Sequence, residues 1–179
     1  MLKRRIVALL PLIVVVILGL FLWRGLDLKP NKLPSPLINK AAPAFELTSL
    51  FDPQKKITEK YLLGKVTLVN VWASWCLACS AEHDFLMQLS QDENLQIIGW
   101  DYKDDRLKAL DYLKQKGNPY RLVLFDPKGK AALDWGVYGT PETFIVDKKG
   151  IIRYKQVGQL NEVADQAGMM ALIGRLEHE

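Results

Sequence analysis

The sequence predicts an α/β domain built on a mixed central sheet with helices on both faces, preceded by one N-terminal transmembrane helix. Three observations carry this. An uncharged apolar run fills residues 6–23, apolar runs rich in β-branched residues alternate with segments of helical period, and a hairpin signal followed by a last helical segment closes the chain. With 179 residues and 49% hydrophobic content, there is room for one membrane segment and one domain with its own core.

Ile6 to Trp23 contains no charged residue. As a helix it crosses most of a hydrocarbon core about 30 Å thick. Lys3, Arg4 and Arg5 precede it, so the positive-inside rule places residues 1–5 in the cytoplasm and the remainder outside. Trp23 suits an interfacial anchor. A cleaved signal peptide is the competing reading, but the run exceeds an h-region of about 7–15 residues and no small-x-small site follows. Residues 6–23 are therefore expected to be an uncleaved signal anchor in the inner membrane. Residues 24–37 include Pro30, Pro34 and Pro36 and read as an extended spacer, leaving 38–179 as the folded domain. Lys3, Arg4 and Arg5 are three of the 24 basic residues, so 21 face 20 acidic ones beyond them. That balance gives no reason to expect nucleic acid as a partner.

Within the domain, the alternation from Phe45 to Leu50 suggests an edge strand, and Val66 to Trp72 suits a strand buried on both faces. Leu77 to Ser90 carries Ala78, Ala81, Phe85 and Leu89 at helical spacing. Leu95 to Trp100 reads as a strand. Asp105 to Lys116, with Leu107, Leu110 and Leu113, reads as a helix ended by Gly117-Asn118-Pro119. Arg121 to Phe125 is expected to be a strand, Asp126-Pro127-Lys128-Gly129 a turn, and Lys130 to Trp135 a short helix ended at Gly136. Thr143 to Val146 and Ile151 to Val157 flank Asp147-Lys148-Lys149-Gly150, a hairpin signal. Asn161 is a candidate N-cap for a last helix whose apolar face includes Val163, Ala164, Ala167 and Ala171.

Cys76 and Cys79 are the only cysteines, and they sit where a strand gives way to a helix. A helix beginning at Cys76 sets that thiolate among unpaired N–H groups at the positive end of the helix dipole, which lowers its pKa. Cys76 is thus the expected exposed nucleophile. Cys79 lies one turn deeper on the same side and is placed to resolve a mixed disulfide. A structural disulfide is the bland alternative, but so short a loop is a poor staple. Cys76, Cys79 and His83 could instead form a Cu(I) or zinc set, although the fourth protein ligand of a structural zinc site is missing. No metal or other cofactor is expected.

Gly136-Val137-Tyr138-Gly139-Thr140-Pro141-Glu142 is the second informative segment. Pro141 precedes an apolar strand, where a cis bond would leave backbone groups free for an extended substrate, although trans is the ordinary expectation. Glu82 and Glu142 could each lie near the thiols, raising a thiol pKa or accepting the proton Cys79 must lose. Read alone, Glu82 is as well explained by a helix-dipole contact and Glu142 by a solvated charge at a strand start.

Asn70-Val71-Trp72-Ala73-Ser74-Trp75-Cys76, the second cysteine at Cys79, and Gly139-Thr140-Pro141 together resemble a thioredoxin-fold site. More narrowly, Ala81-Glu82-His83, the run from Gly136 to Phe144 and the run from Gly150 to Tyr154 resemble the DsbE/CcmG family of thiol:disulfide interchange proteins. These are membrane-anchored periplasmic reductants of cytochrome c maturation, and the likeness runs from about Ile38 to the C-terminus. It implies a thioredoxin-like fold, a cis Pro141, and acidic surroundings of the thiols made by Glu82 and Glu142. Trp75 and Thr140 join these as residues that bind substrate or modulate the site. The implied partners are the Cys-x-x-Cys-His segment of apocytochrome c, a membrane thiol reductase of the DsbD or CcdA type as electron donor, and the cytochrome c maturation machinery.

Two departures stand out. Leu77-Ala78 separates the cysteines where this family often has a proline, and Asn70 stands where thioredoxins carry a buried aspartate. The expected activity is disulfide reduction through Cys76 and Cys79. A general disulfide oxidase or a copper metallochaperone using His83 are the alternatives, and a thiol peroxidase is disfavoured by Ala73 in place of the usual threonine.

Overall fold

The computed structural model describes the backbone of residues 2–26, 35–160 and 163–179. The chain divides into two units, Met1–Leu33 and Pro34–Glu179. The first contains α1 (Leu2–Leu26), and the large apolar side chains described from Ile13 to Trp23 are exposed. Among the described residues no helix is long and apolar enough to cross a membrane. Side chains of residues 1–10, 12, 25, 26 and 161–165, the spacer from 27 to 34, the expected cap Asn161 and the expected apolar-face side chains Val163 and Ala164 lie outside the described residues. The expected span over 6–23 thus has a helical backbone, and its membrane role belongs with the proposals below.

The second unit holds a seven-stranded sheet in the order β2-β1-β5-β4-β3-β6-β7. Its strands are β1 (Glu46–Ser49), β2 (Lys56–Thr58), β3 (Thr67–Trp72), β4 (Gln96–Tyr102), β5 (Leu122–Asp126), β6 (Glu142–Val146) and β7 (Ile152–Val157). β3, β4 and β5 run parallel, and the other pairings are antiparallel, so the sheet is mixed as expected. The expected edge strand is not at the edge. β1 pairs with β5 on one side and with β2 on the other, and β2, absent from the sequence reading, takes the edge.

Every residue of β3 and β4 is buried, which explains why their sequences are nearly continuous apolar runs. One face carries α2 (Leu77–Leu89), α3 (Arg106–Lys116) and α5 (Val163–His178), packed through Leu86, Leu113, Ile173 and Leu176 onto Leu68, Trp72, Ile97 and Ile145. The opposite face packs α4 (Lys130–Asp134) and the segment before β1 onto Val69, Val71, Trp100 and Phe144. Trp135 fills the centre of that layer, with ring contacts to Phe45, Trp100 and Phe144.

Local chemistry sets the boundaries. Asp105 caps α3 by accepting from the Leu107 and Lys108 N–H groups, and Gly117 ends it at φ 92°. Asp147 Oδ1 accepts from the Lys149 and Ile151 N–H groups at 2.8 and 2.9 Å, which fixes the turn between β6 and β7. Two helix faces differ from expectation. In α2 the buried side chains are Cys79, Glu82, His83, Leu86 and Leu89, while Ala81 is exposed. Among the described side chains of α5 the buried ones are Met169, Ile173 and Leu176, while Ala167 and Ala171 are exposed. Bulky residues take the interior, where they bury more area than alanine.

Candidate active site

β3 delivers the chain to the cysteines at the end of its buried run, and α2 begins immediately beyond Cys76. Cys76 is the N-cap of α2 with φ −88° and ψ 102°, and the helix starts at Leu77, where the helical spacing begins. The sulfur of Cys76 accepts from the Cys79 N–H at 3.0 Å. This is the contact through which unpaired amides at a helix start stabilise negative charge on sulfur. Cys76 and Cys79 are joined in a disulfide with Cα atoms 5.3 Å apart. In this oxidised state Cys76 is 6% exposed and Cys79 4%, so the expected exposed nucleophile is buried here. Burial against the sheet is the reason, since both sulfurs belong to the apolar layer under α2. The flanking side chains are open instead: Trp75 is 57% exposed and Leu77 90%.

Two straps hold the loop that leads into Cys76. Ser74 donates to Asp104 through its backbone N–H and through its hydroxyl, the latter at 2.9 Å. Trp75 Nε1 donates to the Lys103 carbonyl at 3.1 Å.

Glu82 lies one turn beyond Cys79 on the same side of α2 and is buried, which excludes a solvated helix-dipole role. Its Oε1 accepts from Asn70 Nδ2 at 2.8 Å and its Oε2 from the Leu160 N–H at 2.9 Å. Burial pushes its pKa up to about 7 against the pull of these two hydrogen bonds. Asn70 also donates to Thr143 Oγ1 at 3.2 Å and accepts from the Tyr120 hydroxyl at 2.8 Å. The position where thioredoxins carry an aspartate thus serves a glutamate brought in from the helix. Tyr120, Thr143 and Leu160 were not singled out from the sequence. Only tertiary packing brings them to Asn70 and Glu82, so no local signal marks them.

Glu142 is placed otherwise than expected. Its neighbours Phe144 and Val146 pack in the layer opposite the cysteines, whereas Ile145 packs in the cysteine layer. The period of two along β6 therefore turns Glu142 away from the thiols. It is neither solvated nor unpaired: Oε2 meets Lys155 Nζ at 2.8 Å, and Oε1 accepts from the Tyr138 and Gly139 N–H groups at 3.0 and 3.3 Å. Lys155 Nζ also donates to the Gly136 carbonyl at 2.9 Å. Glu142 and Lys155 thereby fasten the loop that leads to Pro141. The Thr140–Pro141 bond is cis, as the resemblance implied, and Pro141 is buried. Thr140 Oγ1 is buried with no hydrogen-bond partner.

His83 is buried, with Nε2 3.2 Å from the Lys116 carbonyl and its ring edge-on to Tyr112. With Nε2 engaged, a copper site shared with the two sulfurs would have to use Nδ1.

Residues 37–173 match the family model described as Redoxin. The thiol:disulfide interchange protein DsbE of Allochromatium vinosum is 50% identical over 154 residues, covering 86% of this chain and 85% of that one. This chain belongs to the DsbE family of redoxins. The DsbE of Escherichia coli K12 is 48% identical over 166 residues, covering 88% of each chain. Among solved structures, a DsbE candidate from Chlorobium tepidum superposes with a TM-score of 0.66 at 25% identity, covering 78% of this chain and 97% of that one. Membership and the paired cysteines make the protein a thiol:disulfide oxidoreductase with a thioredoxin-like fold. In the DsbE family, as in this chain, the chemistry available is reversible dithiol–disulfide exchange.

Proposed function

We propose that this protein is a membrane-anchored periplasmic reductant of the CxxCH disulfides of apocytochrome c, acting during cytochrome c maturation. The observation that carries the reading is the placement of Cys76 as the cap of α2, with its sulfur facing an amide and its partner Cys79 one turn inside. The likeness to DsbE proteins supports thiol:disulfide exchange as the activity, and the uncharged run over 6–23 supports the anchor.

In the reduced state the Cys76 thiolate attacks one sulfur of the client disulfide. A Cys76–client S–S bond forms, the client S–S bond breaks, and the departing client thiolate takes a proton. Cys79 then gives its proton to Glu82, and its thiolate attacks the Cys76 sulfur. This forms the Cys76–Cys79 disulfide seen here and releases the second client thiolate, which is protonated in turn. The client gains two electrons and two protons. A membrane thiol reductase of the DsbD or CcdA type returns the electrons. A glutamate whose pKa is about 7 suits this proton transfer, because its affinity for a proton is matched to neutral conditions. Trp75, exposed beside Cys76, and Thr140, which precedes the cis Pro141, are assigned to contact with an extended client.

The test is capture of the Cys79→Ala adduct in the native host. A mixed disulfide with an apocytochrome c CxxCH segment is expected, and adducts confined to other secreted proteins would refute the physiology. The potential separates this reading from an oxidase. A value nearer about −270 mV fits a reductant, and one near about −120 mV fits an oxidase.

A further inference from the structure

Asp101 is fully buried on β4, on the same sheet face as Trp72, and neither of its carboxylate oxygens meets a hydrogen-bond donor. A side chain within hydrogen-bonding reach is another carboxylate, Asp104. Asp104 in turn binds the loop before the nucleophile. Its Oδ1 accepts from Ser74 Oγ at 2.9 Å and from the Asp105 N–H at 2.7 Å, and its Oδ2 accepts from the Ser74 N–H. Two carboxylate oxygens offer about four acceptor sites, so three protein donors leave one site open. Two acceptors cannot satisfy each other without a proton between them, and an uncompensated buried charge at Asp101 would be costly.

We propose that Asp101 is a positioning residue which holds a proton and donates it in a hydrogen bond to Asp104, and that this shared proton keeps Asp104 aligned on Ser74 so that Cys76 is presented to client disulfides. The proposal rests on the exchange chemistry at Cys76. The groups around Asp101 fit this. Its register partners on β3 and β5 are Trp72 and Phe125, which carry no charge. From the following loop and α3, Asp104 and Asp105 oppose ionisation, while Arg106 favours it. The Arg106 guanidinium is committed elsewhere: it donates to the Ser49 and Leu50 carbonyls and to Thr48 Oγ1, and lies over the Phe125 ring. Tyr120 stacks on Trp72 and Tyr112 meets it at a tilt, and Glu82 is the further carboxyl that acts on Tyr120 in the same layer. Burial and the neighbouring carboxylates push the Asp101 pKa up to about 9, so the proton is retained at neutral pH.

The test has two parts. Carboxyl-carbon NMR of aspartate-labelled oxidised protein reads the proton with no client present. One carboxyl should remain in the acid form through neutral pH, titrate near 9 and vanish from the spectrum in Asp101→Asn. If every aspartate is ionised at pH 7, the proposal is overturned, whatever the client or the direction of electron flow. The second part follows the rate of reduced protein with a small disulfide across pH. Asp101→Leu leaves Asp104 without its donor and should slow exchange about tenfold. Asp101→Asn donates as the acid does but cannot ionise, so it should restore most of that loss and remove a fall in rate above about pH 9. Equal rates in the leucine variant, or an alkaline fall that survives in the asparagine variant, would overturn the positioning role.

Discussion

Asn70 donates to Glu82 across 2.8 Å, tying the strand that leads into the cysteine motif to the helix that carries Cys79. Both residues are buried, and the Tyr120 hydroxyl and the Leu160 N–H complete the cluster. A carboxyl in this setting is caught between two forces. Burial favours its acid form, whereas the two N–H donors favour its ionised form, and burial wins.

That balance makes stability depend on pH. The folded-state pKa of Glu82, about 7, lies above its ordinary value of 4.5, so the folded protein binds the proton more tightly than the unfolded chain. The contribution is fully present below about 4.5 and is lost as pH rises through about 7. Denaturant titrations of the oxidised protein should show Glu82 contributing about 3 kcal/mol of the stability lost across this window, beside a comparable slope from Asp101, whose pKa is raised to about 9. Glu82→Gln should remove about half of the slope. An unchanged slope in the variant would show that another group titrates.

The Glu142–Lys155 pair gives a second expectation. Lys155→Met strands a buried carboxylate and should cost about 3–5 kcal/mol of folding free energy. Because the two groups act as a unit, adding Glu142→Gln to it should cost less than the sum of the single changes. Additive losses in equilibrium unfolding would contradict the pairing.

Gly99 faces the aromatic stack beneath the site. A Cβ there would stand 2.8 Å from Trp72 Nε1 and 2.8 Å from Tyr120 Cδ2, within rings 5.7 Å apart at their centroids. Gly99→Ala should destabilise by about 1–3 kcal/mol, measured by the denaturation midpoint, and should also slow exchange because Tyr120 supports Asn70. Wild-type stability in the variant would mean that the stack yields freely.

Much of the fold was legible because its signals are local. The buried run of β3, the helix from Asp105 to Lys116, and the Asp147 to Gly150 turn each follow from a few adjacent residues. β2 was not legible: it has three residues with only Ile57 buried, and its pairing with β1 alone makes it a strand. The inner face of α2 was misread because Glu82 and His83 are polar yet buried, and polarity ordinarily marks the outer face. The same two features governed the site. Cys76 and Cys79 could be placed from their spacing, and Pro141 only through the resemblance. The orientation of Glu142 depended on the strand phase set by Thr143 and Ile145 against β3. Asp101 and Lys155 carry no local mark, since the burial of Asp101 is set by packing on β4 and the partner of Lys155, Glu142, lies on the neighbouring strand.

The central claim is that Cys76 is the attacking thiolate, made acidic by the start of α2. It is tested most directly by titrating the single thiol of the reduced Cys79→Ala variant through its thiolate absorbance, while following its exchange with a disulfide. A pKa well below the free-thiol value of about 8.5, with exchange that tracks the thiolate, is the predicted result. A pKa equal to that of a free thiol, or exchange that persists when Cys76 is replaced, would contradict it.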